Sequence, residues 1–244
     1  MNINKEFLIW IRFKVFYKIV KIYSQLFINQ KIFHINKYKF YNVPEKDSMS
    51  NFLLKFGMWE SKERNLIKFM DKDIDTIEAG GGIGSMSIFI RDHIGSNSKL
   101  LVLEPNPKLT KIIKKNFVIK KFDNFEKNIV IQKALSHKEQ LKVKFHEFDE
   151  PFENKLSLDS YEYTKQTNKF LSVETTNINS LLKEYKIQYF QLIIDVEGEE
   201  LNIIKEQNQW LSNCKYIMFE AHHESTKFQS IIQTLNDRNF KLYK

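Results

Sequence analysis

Three clusters in this 244-residue chain carry the residue types that chemistry needs. The first is Glu78-Ala79-Gly80-Gly81-Gly82-Ile83-Gly84, which holds four of the chain's seven glycines. Glycine turns the chain sharply at positive φ and lets a ligand approach the backbone. A helix opening behind such a run offers its N–H groups. The run therefore reads as a cradle for a nucleotide-like molecule, with Glu78, Gly80, Gly82 and Gly84 as candidate contacts. The second cluster is Glu104-Pro105-Asn106, twenty residues after Gly84. A carboxylate at the end of a second strand accepts two hydrogen bonds from a ribose diol. The third is acidic: Asp195 and Glu197 stand two apart, so both carboxylates can share one side of a strand end, and Glu220-Ala221-His222 repeats that spacing. Carboxylate and imidazole so placed suit general-base work on a hydroxyl, or a divalent cation held by oxygen ligands, Asp195 and Glu220 being the candidates.

The details of the glycine run separate two kinds of nucleotide. A dinucleotide fingerprint G-x-G-x-x-G begun at Gly80 finds Ser85 where its third glycine belongs, and begun at Gly82 it finds Ser87. An acidic residue two positions ahead of the first glycine suits a ligand with a positively charged amino acid tail better than one with a pyrophosphate. The charges point to S-adenosylmethionine.

The elements that must position these clusters follow from hydrophobic periodicity. Strands are expected at 73–80, 99–105, 128–136, 189–198 and 214–222, alternating with helices near 84–93, 107–121, 178–185, 199–211 and 225–239. A further helix is expected at 59–70, further strands at 141–148 and 170–176, and the start of a last strand at FKLYK, 240–244; residues 149–169 show no pattern. Short apolar runs alternating with helices predict an α/β, doubly wound, mainly parallel sheet covered on both faces. In such sheets the ligand lies beyond the carboxyl ends of the strands, where all three clusters fall.

The formal charge of +8 is unevenly spread. Residues 1–46 hold nine Lys or Arg against two Glu, a charge of +7, which leaves +1 for the other 198 residues. A nearly neutral body argues against a nucleic-acid partner. Within 5–28, Leu8, Ile11, Val15, Ile19, Ile22 and Leu26 fall on one helical face, and Lys14, Lys18 and Lys21 share an arc elsewhere. Charges interrupt the run too often for a membrane span. Two readings stand: a helix packed on the body or on a second subunit, giving a homo-oligomer, or a helix lying on an anionic membrane surface. We expect 1–46 to be a basic helical extension and 47–244 the catalytic domain. The lone cysteine, Cys214, fits a reducing, cytoplasmic compartment, and the basic helix would place the chain peripherally on the inner face of the membrane.

Taken together, Glu78-Ala79-Gly80-Gly81-Gly82-Ile83-Gly84, Leu103-Glu104-Pro105-Asn106 and Ile194-Asp195-Val196-Glu197-Gly198-Glu199-Glu200 resemble the successive motifs of the FkbM family of S-adenosylmethionine-dependent methyltransferases. Gly57-Met58-Trp59-Glu60 resembles that family's G-x-x-E element, which makes Glu60 a further candidate cofactor contact, and Val173-Glu174-Thr175-Thr176 resembles its T-T stretch. The resemblance covers about 55–240. It implies a class I, Rossmann-like methyltransferase fold and methyl transfer to oxygen, most often a hydroxyl of a sugar or polyketide, hence a glycan or glycolipid acceptor. This chain departs from the pattern at Gly82, where asparagine is usual, at Ile193, where lysine is usual, and at its end, where the final strand pair is shortened. Two rival readings are a catalytically inactive module that recruits a partner through its N-terminal helix, and a methyltransferase for a nucleic acid or small amine. The three carboxylates Glu78, Glu104 and Asp195 favour an active enzyme.

Overall fold

The computed structural model describes residues 32–35, 37–41, 60–139, 143–146, 155–156, 170–196, 198–206, 208–220 and 225–242. The chain divides into two compact units, Met1–Lys62 and Glu63–Lys244. In the first, β1 (Ile32–Ile35) and β2 (Tyr38–Tyr41) form an antiparallel hairpin with Ile35 opposite Tyr38. The expected basic helix at 5–28 lies outside the described residues.

Along the rest of the chain come α1 (Ser61–Leu66), a 3-10 turn (Ile67–Phe69), β3 (Asp75–Ala79), α2 (Ser85–His93), β4 (Leu100–Leu103), α3 (Pro107–Ile119), β5 (Asn128–Ile131) and β6 (Ala134–Leu135). They are followed by β7 (Val143–His146), β8 (Lys155–Leu156), β9 (Phe170–Val173), β10 (Thr175–Thr176), α4 (Ile178–Glu184), β11 (Phe190–Ile194), α5 (Glu200–Lys205), a second 3-10 turn (Asn208–Ser212), β12 (Cys214–Phe219) and α6 (Ser225–Asn236). The central sheet is parallel throughout, in the order β12-β11-β3-β4-β5. This is the expected doubly wound α/β arrangement. Two small sheets form from the stretch between β5 and β11: parallel β10-β6, and antiparallel β8-β7-β9.

Several boundaries differ from the sequence reading for local reasons. The expected strand 128–136 breaks after Ile131, and its second half leaves the large sheet to pair with Thr175 and Thr176. The expected helix 199–211 splits into α5 and a 3-10 turn that seats Trp210 in the core, its ring 6.0 Å from that of Phe190. Phe240–Leu242 belong to no strand.

Register explains why the sheet is buried on both faces. Ile217, Leu192, Ile77, Leu101 and Ile129 form one row across the five strands. The members of this row within β3, β4 and β11 are fully buried and join Ile178, Leu181, Ile203, Ile231 and Leu235, so this face packs on α4, α5 and α6. The neighbouring row, Met218, Ile193, Glu78, Val102 and Val130, belongs to the other face. Two polar pins tie the approaches to β3 and β4 onto the scaffold. Gln191, fully buried in β11, exchanges two hydrogen bonds with the backbone of Asp71, at 2.6 and 2.8 Å. Arg91, buried at the end of α2, donates to the carbonyls of Ser98 (2.8 Å), Ile94 (3.2 Å) and Gly95 and to Asn128 Oδ1 (3.1 Å). Burial lowers its pKa, partly offset by the charge of Asp75.

Candidate active site

The parallel ladder continues for one residue past each strand. Glu220 N donates to Ile194 O (3.0 Å), Asp195 N to Ala79 O (2.9 Å), Gly80 N to Leu103 O (3.0 Å) and Glu104 N to Ile131 O (3.0 Å). Glu220, Asp195, Gly80 and Glu104 are thereby set side by side along the carboxyl edge of the sheet, about 4.8 Å apart from strand to strand. Residues separated by up to 140 positions in sequence become a single row, with the glycine loop between the two acidic groups.

Each position in that loop has its own physical requirement. Gly80 has φ +90°, and a Cβ there would sit 1.8 Å from the carbonyl oxygen of Asp195, so no side chain fits between β3 and β11 at this point. At Gly81 a Cβ would meet Val102 Cγ1 at 2.4 Å and Ile113 Cδ1 at 2.9 Å. Gly82 differs: its φ is +52° and a Cβ would meet nothing within 4 Å. That is the left-handed region asparagine tolerates best, which explains how asparagine can be usual there. The loop is also preformed. Gly80 and Gly81 N–H share Leu103 O, Gly84 N donates to Gly81 O (2.7 Å), and Asn116 Nδ2 of α3 donates to Ile83 O (2.7 Å). Asn116 escaped the sequence reading because nothing local distinguishes an asparagine in mid-helix.

Glu104 locks the loop to the end of β4. Its Oε2 accepts from Gly82 N (2.9 Å) and its Oε1 from Asn106 N (2.8 Å), while Thr110 Oγ1 donates to its carbonyl (3.0 Å). Burial raises the carboxyl from 4.5 to about 7, against the two backbone N–H groups, which lower it. Asn106 caps α3, accepting from Lys108 N (2.9 Å), and its buried Nδ2 has no hydrogen-bond partner among the described residues. Glu78 is buried in β3, with Ile193 and Val102 opposite it in the two adjacent strands.

Asp195 is half-buried, and the turn behind it uses Gly198 at φ +122°, whose N–H donates to Glu200 Oε1 (3.2 Å). Glu199 is drawn away from the row: its Oε2 lies 3.2 Å from His137 Nδ1 and its Oε1 accepts from Asn202 Nδ2 (3.1 Å). His137, just past β6, was not legible as a partner because 62 residues separate it from Glu199. Glu220 is exposed at its strand end. Glu197 and His222 lie outside the described residues. Glu60 falls in the first unit, ahead of α1, with φ +50°. No group of three His, Cys, Asp or Glu arranged to hold a metal occurs among the described residues; Asp195 and Glu220 are adjacent in the row.

Residues 73–242 match the methyltransferase FkbM domain. The chain belongs to the FkbM methyltransferase family. Among solved structures it is similar to methyltransferase FkbM from Methylobacillus flagellatus KT, with 13% identity, a TM-score of 0.48 and coverage of 79% of this chain and 49% of that one. The chain thus spans about half the length of that protein. It is also similar to precorrin-6y C5,15-methyltransferase from Geobacter metallireducens GS-15, with 13% identity, a TM-score of 0.42 and coverage of 74% and 71%. No curated protein matches the chain.

FkbM membership implies S-adenosylmethionine as methyl donor, and the residues present fit it. Gly82 leaves open space in front of the loop backbone, Glu104 offers a buried carboxylate with lone pairs beyond its two N–H bonds, and Asn106 keeps a buried donor beside it.

Proposed function

We propose that this FkbM-family chain is an O-methyltransferase acting on a hydroxyl of a sugar, polysaccharide or glycolipid. The observation that carries the reading is the row at the carboxyl edge of the sheet, with Asp195 directly beside the glycine loop and Glu220 one strand further out. In this reading Glu104 accepts from the ribose hydroxyls of the cofactor, Asn106 Nδ2 donates to its nucleoside, and the Gly80–Gly84 backbone, together with Glu78, holds the rest. S-adenosylmethionine supplies an electrophilic methyl on a sulfonium. An alcohol is a weak nucleophile, so the chain must orient it and take its proton as the O–C bond forms and the S–C bond breaks. In this reading Asp195 takes that proton, with Glu220, Glu197 and His222 as acceptor-side groups, and Asp195 with Glu220 as the oxygen donors if a divalent cation assists.

The test is titration calorimetry with S-adenosylmethionine followed by transfer of radiolabelled methyl to a panel of hydroxylated glycans and glycolipids. Asp195→Asn is expected to bind cofactor within about threefold of wild type and to lose at least about 100-fold in turnover, the span of general-base catalysis. Unchanged turnover in a variant that still binds cofactor removes Asp195 from the role. Labelling confined to amine or nucleic-acid acceptors overturns the acceptor class. The lysines and the arginine within residues 5–28 support, in this reading, a position at an anionic membrane surface on the cytoplasmic side. No helix among the described residues is long and apolar enough to cross a membrane.

A further inference from the structure

The charge of +1 on residues 47–244 hides a segregation. Residues 107–127, which are α3 and the turn behind it, hold seven Lys against Asp123 and Glu126, a charge of +5, so the other 177 residues of 47–244 carry −4. Periodicity sorts the helix into two faces. Leu109, Ile112, Ile113, Asn116 and Phe117 are buried, whereas Lys108, Lys111, Lys114, Lys115 and Val118 are exposed and fall within one arc of about 120°. Lys121, two residues past the helix end, is exposed as well, and no acidic residue stands between Asn106 and Asp123. Two apolar side chains close the stripe: Val118 is 53% exposed and Phe125, in the turn that leads to β5, 46% exposed. Because α3 starts behind the carboxyl end of β4 and leads back toward the start of β5, the lysines run alongside the sheet for about 20 Å.

A cationic face on a domain whose other residues are net negative steers an anionic partner to α3. Lysines repeated over three turns of one convex helix meet charge spread over a surface rather than a single bound ion. The two apolar side chains decide which surface. A nucleic-acid duplex or an acidic polysaccharide presents charge to the lysines and leaves Val118 and Phe125 in water. A bilayer with anionic headgroups takes both features at once, since lysines reach the headgroups on long apolar stems while Val118 and Phe125 enter the acyl boundary. We propose that the outward face of α3, together with Val118 and Phe125, docks the methyltransferase domain on an anionic membrane surface. With α3 lying flat, the carboxyl edge of the sheet, from which the helix starts, opens along the bilayer rather than away from it. This docking is independent of which hydroxyl is methylated and of the helix expected at 5–28.

The test uses the full chain and co-sedimentation with phosphatidylcholine vesicles, pure or rich in phosphatidylserine. Lys111→Glu with Lys114→Glu and Lys121→Glu should weaken binding to the anionic vesicles at least about tenfold, with the melting temperature and S-adenosylmethionine binding unchanged. An environment-sensitive dye on Val118→Cys reads the contact directly, and it labels that position alone because Cys214 is buried. Its emission should shift to the blue with anionic vesicles and be quenched by brominated lipid, and should do so also when Lys14→Glu, Lys18→Glu and Lys21→Glu remove the basic residues of the N-terminal segment. The same dye on Lys183→Cys should stay in water, because α4 packs on the sheet face of Leu101 and Leu192 whereas Ile113 of α3 sits beside Val102 on the other. Equal binding to the two kinds of vesicle, binding that the α3 variant does not alter, or a dye at 118 that stays in water while the chain sediments would overturn the proposal. So would polyuridylate that displaces the vesicles and itself shifts the dye at 118, since the partner would then be a single-stranded nucleic acid.

Discussion

Replacing Glu104 by glutamine tests whether the carboxyl that locks the glycine loop is held in the state its burial demands. In the folded chain it titrates near 7 and at its ordinary value of 4.5 in the unfolded chain. Between those values the folded state binds the extra proton, so stability is full below pH 4.5 and falls as pH rises through 7. At about 1.4 kcal/mol per pH unit, the whole loss is roughly 3 kcal/mol. Glutamine keeps the shape but does not titrate. It also turns an amide NH₂ toward one of the N–H groups of Gly82 and Asn106, which costs a pH-independent ~1–3 kcal/mol. The informative quantity is therefore the change with pH of the difference between wild type and Glu104→Gln. Urea denaturation from pH 4.5 to pH 8.5 should show wild type losing roughly 3 kcal/mol relative to the variant, most of it between pH 5 and 7. Parallel profiles would refute the reasoning, because the carboxylate would then be ionised in the fold at no cost. The same proton bears on the proposed cofactor contact: with the ionised form as the acceptor of the ribose hydroxyls, S-adenosylmethionine affinity should rise about tenfold from pH 6 to pH 8 and then level off. Calorimetry at those two pH values checks it.

Further outcomes follow from the same geometry. Gly80→Ala should cost at least about 3 kcal/mol by thermal denaturation, because its Cβ would overlap the Asp195 carbonyl at positive φ, whereas Gly82→Asn should stay within about 1 kcal/mol. Arg91→Met should destabilise the fold by roughly 2–4 kcal/mol by leaving several buried carbonyls without a donor, with cofactor affinity unchanged by calorimetry. Burial pushes the Cys214 thiol up to about 12, so Ellman's reagent at pH 8 should label it only after denaturation. Residues 5–28 should pull the full chain down with vesicles rich in phosphatidylserine but not with pure phosphatidylcholine, and about 0.5 M salt should release it; equal recovery with both would favour the packed-helix reading.

The alternation of apolar runs by itself determined the parallel sheet, because a strand buried on both faces must be apolar at every position, and β3, β4 and β11 obey that rule at all but Thr76, Glu78, Gln191 and the half-buried Asp75. The sequence also marked the glycine loop, since four glycines in five positions behind a strand answer a backbone requirement that few other residues meet. What it left open depends on register and distance. That Gly80 is dictated by the Asp195 carbonyl, that Glu104 Oε2 locks Gly82, that Asn116 holds Ile83 and that His137 engages Glu199 are contacts across 22 to 115 positions. That β12 is paired on one side only among the described residues was equally hidden. A strand's own residues say whether its faces are buried, but only its neighbours in the folded sheet decide whether its backbone edge is already paired.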